Sequence, residues 1–273
     1  MNSFTDWTAG DAARFIAVPT PDDDKYSRGV LGVVTGSPAY PGAAVLGVEA
    51  ALRTGVGMVR YLGGERPTTL VLQRRPEAVT ANGRVQAWLV GSGMDAALRD
   101  TDTTDRLEAA LASGLPIVID AGALDLLGRA TGPAIITPHF GELSRVLGGS
   151  KQEIAGDPGR AARRAAESLG VTVLLKGHHT YVAAPDGTTL VASCAPAWLA
   201  TAGAGDALGG ILGALVATHS DEIAADPLML ARLGASASVI HGLAAERAGG
   251  GGPFTILGLV DALPPVIAAL LRR

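Results

Sequence analysis

Short apolar runs alternate with Ala- and Leu-rich stretches along most of the chain. The first run, Val30-Leu31-Gly32-Val33-Val34-Thr35, has no polar alternation, as expected of a strand buried on both faces. A turn-forming stretch over 36–42 follows, then residues 43–53, whose Ala and Leu favour helix and whose Gly55 supplies a stop. The same reading predicts strands over 87–90, 116–120, 134–137 and 171–176, with helices over 103–112 and 159–169. Around Asp186-Gly187 the pattern changes, because 180–184 and 188–193 flank a two-residue turn and read as a hairpin. The last third carries helical segments over 205–218, 227–247 and 259–271. Alternation of this kind predicts an α/β fold, a three-layer α/β/α arrangement around a mainly parallel sheet. No repeat or linker interrupts it, so 25–273 read as a single domain preceded by a polar segment over 1–24.

Composition narrows the function classes. The chain has 273 residues, a formal net charge of −4 and an apolar fraction of 48%, which excludes intrinsic disorder and allows a sizeable core. No basic field or Lys/Arg run is present to hold a nucleic-acid backbone, so no nucleic acid is expected as a partner. Cys194 is the only cysteine, which removes disulfide frameworks and thiolate clusters and suits a reducing, cytoplasmic setting. The positive mean hydropathy comes from scattered Ala, Val and Leu. No apolar run approaches the roughly 18 residues needed to span a bilayer, so no membrane partner is expected. The N-terminal residues have neither a cationic start nor an apolar stretch, so no signal peptide is expected.

In open α/β sheets ligands bind beyond the carboxyl ends of the strands. Polar and glycine-rich segments fall there: 36–42, Gly91-Ser92-Gly93, Asp120-Ala121-Gly122, Thr137-Pro138-His139-Phe140-Gly141-Glu142, Lys176-Gly177-His178-His179-Thr180 and Ala202 to Asp206. The most telling is Gly203-Ala204-Gly205-Asp206, a small-residue loop running into an apolar helix. Free N–H groups and the helix dipole make Gly203, Ala204 and Gly205 a candidate anion hole. A carboxylate in that place repels phosphate, so Asp206 is either a base for an attacking hydroxyl or a helix cap. Adjacent His178 and His179 point to opposite sides of an extended chain and lack metal-ligand spacing. No metal-ligating residues are expected. His139 reads as either a hydrogen-bonded loop residue or a catalyst, while His219 and His241 have weaker claims. Asp22, Asp23 and Asp24 read as a solvated run. Neither a Walker motif nor a GxGxxG in a strand-to-helix setting is present, and Gly250-Gly251-Gly252 precedes no nucleotide-binding helix.

Taken in order, several segments resemble the ADP/ATP-dependent NAD(P)H-hydrate dehydratases, a carbohydrate-kinase-labelled branch of the ribokinase-like superfamily. The resemblance runs from about residue 25 to 263. It rests on Lys25-Tyr26-Ser27-Arg28-Gly29, Gly36-Ser37 with Pro41-Gly42-Ala43-Ala44, and Leu52-Arg53-Thr54-Gly55-Val56-Gly57. Further on it rests on Gly91-Ser92-Gly93, Val118-Ile119-Asp120-Ala121-Gly122-Ala123-Leu124, the Thr137 to Glu142 segment, Leu174-Leu175-Lys176-Gly177, the Gly203 to Asp206 loop and His241-Gly242.

The resemblance implies a ribokinase-like three-layer α/β/α sandwich. It also implies a hydro-lyase that phosphorylates the hydroxyl of hydrated NADH or NADPH from ADP (or ATP) and then eliminates phosphate. By resemblance Ala43, Gly93, His139 and Asp206 contact the hydrated dinucleotide, with Asp206 catalytic. Lys176, Gly177, His178, His179, Thr180 and Gly205 contact the adenine nucleotide, and Mg2+ accompanies the phosphates. A homo-oligomer, expected to be a tetramer, and a separate epimerase chain are implied too. The loop departs from the family pattern at Ala202 and Ala204, and Ala204 removes one hydroxyl available to a phosphate. Ser92 stands where the family carries Pro, and Asp24 where it often carries His. A hydroxyethylthiazole-type kinase would share the anion hole and Asp206, and a nucleotide-binding protein without catalysis would share the loop.

Overall fold

Consecutive β-branched and leucine residues form strands, and Ala-rich segments between glycines form helices, across residues 4–272 that the computed structural model describes. The strands are β1 (Thr5–Asp6), β2 (Val30–Val34), β3 (Met58–Tyr61), β4 (Ala87–Val90), β5 (Ile117–Ile119), β6 (Ala134–Ile136), β7 (Thr172–Leu175), β8 (Thr180–Ala183) and β9 (Thr189–Ala192). The first helices are α1 (Ala9–Ala13), α2 (Pro41–Thr54), α3 (Glu65–Arg74), α4 (Thr101–Leu111), α5 (Phe140–Leu147) and α6 (Lys151–Gly156). They are followed by α7 (Pro158–Leu169), α8 (Ala204–Thr218), α9 (Ser220–Ala225), α10 (Met229–Gly249) and α11 (Ile256–Leu270).

One sheet holds all nine strands in the order β1-β9-β8-β7-β6-β5-β4-β2-β3. The β7–β8 and β8–β9 pairs are antiparallel, as expected of the Asp186-Gly187 hairpin, and the remaining pairs are parallel. Strand side chains alternate between two cores. Leu31, Leu89, Val118, Ile135 and Leu174 face the layer of α2, α8, α10 and α11. Val90, Ile117, Ile119, Ile136 and Leu175 face that of α4, α5 and α7. The three layers follow from this two-sided burial.

Helix α8 is buried along nearly its whole length, so its small residues set how close its neighbours come. A Cβ at Gly210 would lie 2.2 Å from the Gly47 carbonyl oxygen, which shows how tightly α8 and α2 cross. The carboxylate of Glu49 on α2 is fully buried and is gripped by Arg53 at 2.8 Å, Arg74 at 3.3 Å and Arg75.

Several elements differ from the sequence reading. The polar opening is continuous with the sheet: Thr5–Asp6 pairs with β9, and Trp7 Nε1 donates to Ser236 Oγ on α10 at 3.0 Å. β3, α3, α5 and α6 lie in segments for which the apolar pattern predicts no element. The strand expected over 116–120 ends at Ile119, which leaves Asp120 just beyond it. Among the described residues no helix is long and apolar enough to cross a membrane.

Candidate active site at the start of helix α8

The carboxyl ends of β5, β6 and β7 lie side by side, so residues distant in sequence meet there. Asp120 follows β5, Thr137 follows β6 and Lys176 follows β7. Asp120 Oδ1 accepts from Thr137 Oγ1 at 2.8 Å and from Lys176 Nζ at 2.9 Å. Burial acts to raise the Asp120 carboxyl, but the Lys176 charge and these hydrogen bonds hold it below the usual range. Burial acts to lower the Lys176 ammonium, yet Asp120, Glu142 and Asp206 raise it above its ordinary value. The pair is therefore charged at neutral pH. The Lys176 N–H also donates to the Pro138 carbonyl at 2.9 Å, which draws the His139 loop alongside.

Helix α8 begins over this cluster. Its N-cap is Gly203, with φ of 92°, a left-handed conformation that glycine adopts without strain. Asp206 is the third helical residue and caps nothing, which removes the cap reading of this carboxylate. In an α-helix the first-turn N–H groups have no intrahelical acceptor, so those of Gly205 and Asp206 are available to an anion. Of the expected anion hole of Gly203, Ala204 and Gly205, the Ala204 N–H instead donates to the Thr201 carbonyl at 3.4 Å. A Cβ at Gly205 would lie 3.3 Å from Lys176 Nζ, so glycine there admits the ammonium against the helix start. Burial first, and the nearby Asp120 second, push the Asp206 carboxyl up to about 6, with Lys176 opposing them. A carboxyl tuned in this way is a base at neutral pH whose conjugate acid is not too weak to return the proton.

A cavity of about 750 Å³ opens beside the helix start. Its lining includes His139, Lys176, Gly177, His178, Thr180, Ala204 and Gly205 together with the apolar Pro196, Ala197, Leu199 and Leu208. Polar donors and apolar side chains in one cavity suit a ligand with a phosphate and a flat ring. His139 caps α5 through Nδ1, which accepts from the Glu142 N–H at 3.1 Å.

Asp206, one residue beyond Gly205, is not among the lining residues, and the remaining expected residues lie apart from the lining as well. His179 is exposed and makes an edge contact with His178, with ring centroids 4.9 Å apart. Gly203 packs against Leu46 and Ile256. Ala43 and Gly93 form a close approach between the start of α2 and the loop after β4. Among the described residues no group of three or more His, Cys, Asp or Glu side chains could hold a metal ion.

Two features escaped the sequence reading. Asp120 pairs with Lys176 across 56 residues, and no local pattern signals such a contact. His241, given a weak claim, lines the cavity and is 7% exposed, with Nε2 unpartnered. Burial lowers its ring to about 4, so it is neutral at physiological pH. Its position in the Ala-rich helix α10 gave no sign that it faced a cavity.

The sequence pattern that defines the NAD(P)H-hydrate dehydratases matches residues 31–250. The chain belongs to this family. It is 42% identical over 222 residues to the bifunctional NAD(P)H-hydrate repair enzyme Nnr of Mycobacterium tuberculosis, covering 77% of this chain and 45% of that one. It thus spans about half the length of such bifunctional relatives. It is 36% identical over 221 residues to an ADP-dependent (S)-NAD(P)H-hydrate dehydratase of Neisseria meningitidis serogroup B, covering 72% of each. Among solved structures, an ADP/ATP-dependent NAD(P)H-hydrate dehydratase from Bacillus subtilis, co-crystallized with ATP/Mg2+, superposes with a TM-score of 0.85 at 26% identity, covering 98% of this chain and 99% of that one. The family's ribokinase-like α/β fold is the fold of this chain.

Proposed function

We propose that this chain is an ADP-dependent (6S)-NAD(P)H-hydrate dehydratase, a hydro-lyase of metabolite repair. The observation that carries the reading is the Asp206 carboxylate, unpaired among the described residues in the first turn of α8, with Lys176 Nζ against the neighbouring Gly205. In this reading Asp206 accepts the proton of the hydrate hydroxyl as its oxygen attacks the terminal phosphoryl group of ADP. The products of that step are the phosphorylated hydrate and AMP. The helix-start N–H groups and Lys176 stabilise the charge that spreads over the transferring phosphoryl oxygens. Loss of phosphate from the ring carbon, with a ring proton, then restores the double bond of NADH or NADPH.

In this reading Lys176, Gly177, His178, Thr180 and Gly205, which line the cavity, contact the nucleotide, as does the exposed His179. Ala43, Gly93 and His139 shape the dinucleotide side. Magnesium would accompany the nucleotide phosphates, where it would neutralise charge on the transferring phosphoryl group. The same reading gives a cytoplasmic homo-oligomer, expected to be a tetramer, functionally linked to an epimerase activity.

Incubation of hydrated NADH with ADP and magnesium tests the reading. Recovery of the reduced-nicotinamide absorbance together with AMP and phosphate is the expected result. Accumulation of a phosphorylated product without that recovery would instead identify a kinase. Nucleotide binding with no turnover would identify a non-catalytic homologue.

A further inference from the structure

Three carboxylates surround the Lys176 ammonium strongly enough to raise it: Asp120, Glu142 and Asp206. Only Asp120 bonds it, at 2.9 Å. Glu142 is occupied at the start of α5, where it accepts from the His139 N–H at 2.8 Å and lies 3.2 Å from His139 Nε2. Asp206 makes no ion pair among the described residues, although Lys176 Nζ sits against Gly205, its neighbour in the chain. Asp206 is thus the carboxylate to which Lys176 would turn if its present partner were lost.

We propose that Asp120 is a positioning residue that engages the Lys176 ammonium and thereby keeps the Asp206 carboxylate unpaired and available as the base. The grip is built rather than incidental. Asp120 is 4% exposed, its Oδ1 takes a second hydrogen bond from Thr137, and that threonine is itself buried at the end of the adjacent strand. A carboxylate paired with an ammonium is a weaker base, because the opposite charge stabilises its ionised form. Without Asp120, Lys176 would deprive Asp206 of basicity while leaving both residues in place.

The other charged groups facing Asp206 do not perform this role. His241 on α10 is neutral at physiological pH, and His139 and Glu142 satisfy each other at the start of α5. Helix α2 presents Gly47 to the Asp206 backbone, and its only acid, Glu49, is taken by three arginines.

The proposal rests on Asp206 being the base, and its test therefore reads the carboxyl itself as well as turnover. Carbon-13 NMR of aspartate-labelled protein, with the Asp206 signal assigned from Asp206→Asn, follows the titration in wild type, Asp120→Asn, Lys176→Met and the Asp120→Asn/Lys176→Met double variant. Asp206 is expected to titrate near 6 in the wild type. Loss of the Asp120 charge lowers Asp206 directly in either background, so the proposal is read from the difference: Asp120→Asn should lower Asp206 clearly more when Lys176 is present than when it is replaced by Met. The acid limb of the turnover profile should move the same way. Thr137→Val, which removes one bond and no charge, should give a smaller downward shift and serves if Asp120→Asn fails to fold. An Asp120→Asn shift of equal size with and without Lys176, or an unchanged Asp206 titration in Thr137→Val where Asp120→Asn fails to fold, overturns the proposal. The expected titrations with no wild-type turnover would sink the dehydratase reading and leave this one standing.

Discussion

Gly93 and Ala43 meet so closely that a Cβ added at Gly93 would lie 2.3 Å from the Ala43 methyl. The contact joins the loop after β4 to the start of α2, and Gly93 holds a positive φ of 65° to make it.

Gly93→Ala therefore meets two obstacles, a left-handed backbone and a methyl clash. The strain is worth about 1–3 kcal/mol, and relief requires the loop and the helix start to separate. We expect a lower melting temperature and a KM for the hydrated dinucleotide raised on the order of tenfold, with the KM for ADP changed less. Steady-state kinetics with each substrate varied in turn checks the split. An equal rise in both constants would place the close approach outside the dinucleotide side.

Asp206→Asn keeps the shape of the helix start and removes the base. Turnover should fall on the order of a hundredfold or more, while ADP affinity measured by calorimetry stays within a few fold. Turnover near that of the wild type would remove Asp206 from the mechanism.

The same carboxyl gives a signed pH dependence. Its folded value of about 6 lies above the ordinary 3.8, so the folded protein binds this proton more tightly than the unfolded chain. The contribution of Asp206 to stability therefore grows as pH falls from about 6 toward 3.8 and is lost as pH rises through about 6. Activity runs the other way, since the base is ionised above that range. Asp206→Asn should melt higher than wild type at pH well above 6, with the gap closing in acid, as scanning calorimetry across pH would show. A gap that is flat with pH would contradict the raised value.

On the scaffold, Glu49→Gln leaves three guanidinium groups facing an uncharged side chain. Breaking a buried ion pair from one side typically costs about 3–5 kcal/mol, discounted here because Arg53, Arg74 and Arg75 are partly exposed. Burial would raise the Glu49 carboxyl, but hydrogen bonds from Arg75 and Arg53 hold it below its ordinary 4.5. Its contribution is present above that ordinary value and is lost as pH falls through the lower folded one. Urea denaturation should show a clear loss of stability at neutral pH and a smaller one in acid.

Legibility in the sequence followed the physics of burial. β2, β4, β5, β6 and β7 are buried on both faces, so their residues are continuously apolar and visible without any knowledge of their partners. β3 lies at the sheet edge and carries Arg60, while α3 is mostly polar and leans on α2, so neither leaves a strong periodic trace. β1 is two residues long and exists only because β9 offers an open edge. At the site, Gly203 to Asp206 was legible as a small-residue loop entering an apolar helix, but because a carboxylate in a helix's first turn is common, only the resemblance separated a base from a cap. The Asp120–Lys176 pair was not, since it depends on β5, β6 and β7 lying in consecutive order across the sheet. His241 was legible only as a residue type, because its burial and its place on the cavity wall belong to the packing of α10.

The claim that Asp206 deprotonates the hydrate hydroxyl for phosphoryl transfer is tested most directly by following hydrated NADH with ADP and magnesium in wild type and Asp206→Asn side by side. Wild-type protein should restore the reduced-nicotinamide absorbance with one AMP and one phosphate released for each hydrate consumed, and the variant should do so on the order of a hundredfold more slowly. Restoration without AMP release, or at equal rates in the two proteins, would contradict it.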